Sequence, residues 1–180
     1  KAGITRLRTA VRSGEIPRWR LLAGALGGSF VALQTSVVPL IGVAMYSVAS
    51  LAGQTATSLV VDRIGLTGGG PKPISLRRVS AALITVLAVA VAVFDKVEAH
   101  SFSFFAVLLA VIAGALVGVQ RALNGQINEH SGQSYTTSLL NFITGTSFLA
   151  LFILALSLFG EIELQPLPHG PWWIYTGGVI

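Results

Sequence analysis

Between Leu21 and Val61 the chain runs for 41 residues without an Asp, Glu, Lys or Arg. A membrane span needs about 20 consecutive, mostly apolar residues, and a run of this kind reads as a membrane segment. Two more uncharged runs follow, Ala99 to Gln120 with 22 residues and His130 to Gly160 with 31. Only 11% of the 180 residues are charged, against roughly 25% in ordinary globular domains. The expected fold class is therefore all-α, a polytopic integral membrane helix bundle. That excludes a soluble enzyme, a nucleic-acid-binding domain and a secreted disulfide scaffold. The sequence holds no cysteine, so thiolate metal sites and redox switches are excluded too.

About five spans and the start of a sixth can be placed. Segment A covers about Leu21 to Val38 and is stopped by Pro39, and segment B covers about Leu40 to Val61 and is ended by Asp62-Arg63. The stretch Leu66 to Pro73, with Gly68-Gly69-Gly70-Pro71, reads as a loop. Segment C, about Ile74 to Phe94, has a short uncharged core, so Arg77 and Arg78 would snorkel to the interface. Segment D covers about Phe102 to Leu123 and segment E about Ser134 to Phe159. A sixth segment starts at Pro171-Trp172-Trp173, a proline at a helix start beside interfacial tryptophans. The chain opens without Met and stops inside an apolar run, which reads as an internal piece of a longer protein.

Eleven of the twelve Lys and Arg residues fall on one side of these spans. They are Lys1, Arg6, Arg8, Arg12, Arg18 and Arg20 in the basic, polar leader, Arg63, Lys72, Arg77 and Arg78 between B and C, and Arg121 by the D–E connection. Lys96 alone lies opposite. By the positive-inside rule residues 1–20 are cytoplasmic. Pro17-Arg18-Trp19 and Pro171-Trp172-Trp173 both precede a helix, and Gly24 matches Gly178 at the same offset of 154. The two helices would start on opposite sides, as in the inverted-topology repeats of secondary transporters. So short a motif also recurs by chance, and spacing alone leaves both readings open.

Wheel arithmetic sorts the polar positions. On B, Gly42, Tyr46, Ser50, Gly53, Gln54 and Thr57 share about one third of the circumference. On E, Ser134, Thr137, Ser138, Asn141, Thr144 and Gly145 do the same. D has two faces, Gly114, Gly118 and Gly125 on one and Gln120 with Asn124 on another. Gly24, Gly28, Gly53, Gly114, Gly118 and Gly145 are candidate helix-packing positions, because small residues let membrane helices approach closely. Gln54, Tyr46, Gln120, Asn124 and Asn141 are candidate cavity residues. An amide in lipid must find a partner, so a hydrogen bond to a neighbouring helix and contact with a substrate are both open for each. If B, D and E line one cavity, the four amides meet at similar depth. No Asp or Glu falls inside a span, which disfavours a carboxylate-driven proton antiporter. HExxH and Walker A motifs are absent, so neither a membrane metalloprotease nor an ATPase is expected.

Particular motifs resemble a known family. Gln120-x-x-x-Asn124-Gly125, closing the stretch from Gly114, resembles the opening helix of the YdcZ-like membrane proteins of the drug/metabolite transporter (DMT) superfamily. Leu140-Asn141-Phe142-Ile143-Thr144-Gly145-Thr146 looks like that family's second helix. Pro171-Trp172-Trp173 followed by Gly177-Gly178 resembles its third, and segment A has the same look through Pro17, Trp19, Gly24, Gly27 and Gly28. Gly53-Gln54 with Asp62-Arg63-Ile64-Gly65-Leu66 is similar to the fourth, and segment C corresponds to the fifth. Arg18, where the other copy has Trp172, departs from the pattern. The resemblance implies EamA-like five-helix inverted repeats in a protein of about ten spans. Residues 1–99 would hold the leader and helices three to five of the first half, and 100–180 helices one to three of the second. It further implies a bacterial cytoplasmic (inner) membrane transporter, an exporter of a small metabolite by alternating access, with no cofactor and no metal. Its partners would be lipid and a small-molecule substrate, with a homo-oligomer as a further option and no nucleic acid. The alternative is a membrane scaffold or assembly protein whose polar helix faces bind other helices or lipid.

Overall fold

The computed structural model describes residues 2–66, 70, 71, 73, 75–97, 103–162, 170 and 171. Among these the regular elements are all helical: α1 (Ala2–Arg12), a 3₁₀ turn (Arg18–Leu22), α2 (Ala23–Arg63), α3 (Leu76–Val97), α4 (Phe104–Ser131) and α5 (Ser134–Leu158). Three helical stretches are long and apolar enough to cross a membrane, Arg18–Arg63, Phe104–Ser131 and Ser134–Leu158. Segment C is a helix, α3, but does not join those three. The sixth segment beyond Pro171, the glycine loop at residues 67–69, and Lys72 lie outside the described residues. The chain divides into two units, Lys1–Ala150 and Leu151–Ile180. In the second, α5 ends at Leu158 and Gly160 takes a positive φ of 74°.

As one straight rod, the 41 residues of α2 would reach about 60 Å, twice a bilayer's hydrocarbon core. They do not form one rod. Gly42, at φ 79° and ψ 158°, is non-helical, in a region of backbone space that is almost glycine-only. There the chain turns back. The Phe30 and Tyr46 rings lie 6.0 Å apart, although 16 helical residues would separate them by about 24 Å. Residues 23–41 and 43–63 are thus the two arms of a hairpin. Segment A was expected to stop at Pro39, but the helix carries on through Pro39. Proline forfeits a hydrogen bond and kinks a helix; full reversal needs the positive φ that only Gly42 supplies cheaply.

α4 lies against both arms. Gly114 sits on Ser50 and Gly118 on Thr57, so the second arm runs parallel to α4. Gly27 meets Gln120 while Val37 clusters with Ala106 and Val107, so the first arm runs antiparallel. α5 packs on the first arm through Gly24, Gly28 and Gly145. Large apolar side chains such as Leu51, Leu83, Val91, Phe105 and Phe142 point outward. That distribution suits a lipid surround, where small residues make the helix contacts.

Two departures occur at the α1 end of the bundle. Segment D was expected to end near Leu123, yet α4 continues to Ser131 and is capped by Gly132 at φ 65°. The leader was read as a basic, polar stretch, yet it forms α1, with Gly3, Leu7 and Ala10 buried. One causes the other. The apolar face of α1 covers the added turns of α4, and Leu7, Ala10, Ile16, Ala23, Leu123 and Ile127 form a cluster there. The Arg6, Arg8 and Arg12 side chains remain exposed.

Candidate functional site

The polar side chains of the long helices behave in two main ways. Most hydroxyls bond the preceding turn of their own helix, whereas the buried Thr137 hydroxyl has no partner. Ser29, Ser47, Thr55 and Thr144 each donate to the carbonyl four residues back, at 2.7–2.9 Å. Such back-bonding needs no second helix. The amides behave differently. The side chains of Gln54, Gln120, Asn124 and Asn141 make no hydrogen bond, and the oxygens Gln54 Oε1 and Asn124 Oδ1 are covered and unpartnered. The Tyr46 hydroxyl is in the same state.

The four amides do not share one hollow. Gln120 and Asn141 line a groove of about 440 Å³ between the first arm of α2, α4 and α5. Its floor is Gly24, Gly27 and Gly28, and Ser138, Thr146 and Gly145 lie along its α5 side. The missing side chain at Gly27 leaves the space that the Gln120 amide enters: a Cβ there would sit 2.6 Å from Gln120 Nε2. Gln54 belongs to a separate hollow of about 190 Å³, with Ser58, Asp62, Arg78, Gly118 and Arg121. Asn124 is half-buried and lines neither. Tyr46, only 2% exposed, packs with Phe30, Met45 and Ala49 in the core. The expectation of a single amide-lined cavity presupposed equal depth on facing helices. Depth follows from the sequence, but facing depends on rotation about each helix axis. α4 turns Gly118 toward the second arm and Gln120 toward the first.

At the six candidate packing glycines an added side chain would meet neighbouring atoms, with other helices' backbone among them. A Cβ on Gly53 would overlap Val111 O, and one on Gly114 would overlap Ser50 O. On Gly24 it would overlap Asn141 O, and on Gly145 it would sit 2.9 Å from Gly24 O. On Gly28 it would lie 3.0 Å from Gly145 O, and on Gly118 it would lie 2.9 Å from Thr57 Cβ.

One polar hub was not read from the sequence. Gln126 is 6% exposed. Its oxygen accepts from Arg20 Nη1, and its amide nitrogen donates to the Leu66 carbonyl just beyond α2. Its own backbone carbonyl bonds His130 Nδ1 at 2.8 Å. One side chain therefore ties the turn before α2, the end of α2 and the end of α4 together. Nearby, Asp62 in the last turn of α2 pairs with Arg78 in the first turn of α3. Arg78, expected to snorkel, is 46% exposed and also pairs with this buried carboxylate. A usable signal existed in Ala122, Leu123, Gln126 and Ile127, a buried face at helical spacing past the end of segment D. Without α1 to cover that face, it had no reason to be read as interior.

A family model described as "Putative inner membrane exporter, YdcZ" matches residues 3–91 and 105–180. No curated protein and no solved structure matches the chain.

Proposed function

This chain belongs to the YdcZ family, described as inner membrane exporters, and from that premise we propose that the groove beside Gln120 and Asn141 is its substrate path. The cargo is a small, uncharged or weakly polar metabolite, moved by alternating access. One observation carries this reading: unlike Gln126 at the α1 end, the amides Gln54, Gln120, Asn124 and Asn141 bond to no other helix, and two of them line an open groove. A scaffold that used its amides as helix-to-helix links would have them paired. Amides both donate and accept, which suits hydroxyl, amide or zwitterionic solutes. The match is interrupted at residues 92–104, which supports a boundary near residue 99 between two five-helix halves of inverted topology. In that arrangement the α1 end is cytoplasmic.

The test uses the full-length protein in cells. Small solutes in the medium are compared between wild type, Gln120→Leu, Asn141→Leu and a strain without the protein. Wild type should release at least one solute that the empty strain retains, and each variant should abolish or change that release at near-normal expression. Release unchanged in both variants removes the groove from the path. No difference between wild type and empty strain removes export. Topology has its own test. Reporter fusions at residues 68–73 should read as cytoplasmic and fusions after Phe159 as external, and an external result at the glycine loop overturns the orientation.

A further inference from the structure

On the other side of α4 from the groove, the smaller hollow is walled by the second arm of α2, the start of α3 and α4. Its lining combines Gln54, Ser58, Asp62, Arg78 and Arg121 with the small residues Gly118 and Ala122. Among the described residues that line it, the charges do not balance. Asp62, 6% exposed, is paired with Arg78. Arg121, an exposed residue, borders the same space and has no carboxylate partner among the described residues. Two guanidinium groups and one carboxylate leave one positive charge facing a hollow of about 190 Å³, room for about six water molecules at ~30 Å³ each.

The hollow also has a polar depth axis. Gln54 lies two turns inside Asp62 on the same arm, about 12 Å along the helix. Charge therefore sits at the mouth and a neutral amide at the inner end, with Ser58 between them. The Ser58 hydroxyl is already committed to the Thr55 carbonyl at 2.7 Å, so the free polar groups are Arg121 and Gln54. A guanidinium presents a planar fork of N–H donors that matches a carboxylate or phosphate. Arg121 is exposed at the mouth and Arg78 is 46% exposed, so such a contact is charge-assisted but screened by solvent and weakened by salt.

We propose that this hollow is an oxyanion site, in which Arg121, backed by the Arg78–Asp62 pair, holds a carboxylate or phosphate group while the attached atoms extend toward Gln54. The site is distinct from the Gln120–Asn141 groove and does not depend on that groove being the transport path. The oxyanion has two possible sources, a small soluble anion or the headgroup of an anionic lipid.

Purified full-length protein in neutral detergent separates them by thermal unfolding. One arm titrates glycerol 1-phosphate, the other phosphatidylglycerol against phosphatidylcholine. At least one anionic probe should raise the unfolding temperature of wild type. Arg121→Gln should weaken that apparent affinity about tenfold, the size of one charge-assisted hydrogen bond. Arg12→Gln, which removes the same charge from the exposed face of α1, should leave it unchanged. A response to glycerol 1-phosphate assigns a soluble oxyanion, and a response to phosphatidylglycerol alone assigns a lipid headgroup. The proposal falls if neither probe stabilises wild type, or if Arg121→Gln binds as wild type does. It also falls if Arg12→Gln loses as much affinity as Arg121→Gln. Should Arg121→Gln not fold, Arg121→Lys keeps the charge without the fork and must still bind more weakly than wild type.

Discussion

Followed along one helix, α4 is packed by two different rules. From Phe104 to Gly118 its buried positions are Ala106, Val107, Ala110, Ala113, Gly114 and Gly118, small except for one valine. Five residues later the pattern changes to Leu123 and then Ile127, among the largest fully buried side chains of the described residues. The first stretch offers small residues to the arms of α2, touching backbone at Gly114 and receiving α2 side chains such as Val37 and Tyr46. The second meets α1 and Ile16 with large side chains of its own. The surroundings explain the switch. Lipid tails are as apolar as leucine, so burying a large side chain between helices gains little there, and contact depends on close approach. At the α1 end, exposed arginines mark a wet surface, and removing large apolar groups from water again drives folding. One helix thus carries both a membrane core and a soluble-type core.

The contrast predicts opposite sensitivities, read as thermal unfolding of the detergent-solubilised protein. Truncation should be worst at the α1 end. Leu123→Ala or Ile127→Ala should cost about 2–5 kcal/mol, the range for emptying a well-packed leucine or isoleucine site. Enlargement should be worst in the middle. Gly114→Ala forces a methyl against the Ser50 backbone, which cannot swing aside as a side chain can, and should cost about 1–3 kcal/mol. If Gly114→Ala unfolds like wild type, the backbone contact is not what holds that interface. Gln126→Leu comes next, at about 1.5 kcal/mol, because it deprives the partly buried Arg20 of its acceptor. A near-zero effect there would mean that the apolar cluster alone holds the α1 end. Smallest should be Gly27→Ala, within about 0.5 kcal/mol. The three atoms nearest the new methyl all belong to the far end of the flexible Gln120 side chain. A large loss at Gly27 would show that the groove is as tightly closed as the Gly53–Gly114 contact.

Much of this was legible in the residues. The uncharged runs announced α2, α4 and α5, and Ser134 to Phe159 lies within one residue of α5 as observed. The two segments within the 41-residue run were separated at Pro39, three residues short of the break. Proline is the conspicuous breaker, whereas a lone glycine inside an apolar run carries no mark that its φ will be positive. α1 was missed because Arg6, Arg8 and Arg12 dominate its composition. The helical spacing of Gly3, Leu7 and Ala10 was there to be counted, but it gained meaning only once a surface existed to cover.

By itself, then, the sequence determined where the long apolar helices run, that they belong in a membrane, the family, and which of their groups are polar. These are local or compositional properties, set by desolvation of each segment's own backbone and side chains. Only the tertiary structure decided which polar groups share a space. Gln120 joined Asn141 across a glycine floor, Gln54 went to the arginines on the far side of α4, and Tyr46 disappeared into the core. The reason is rotational. A residue's depth follows from counting along its helix, but the direction it faces is set jointly by every helix packed around it.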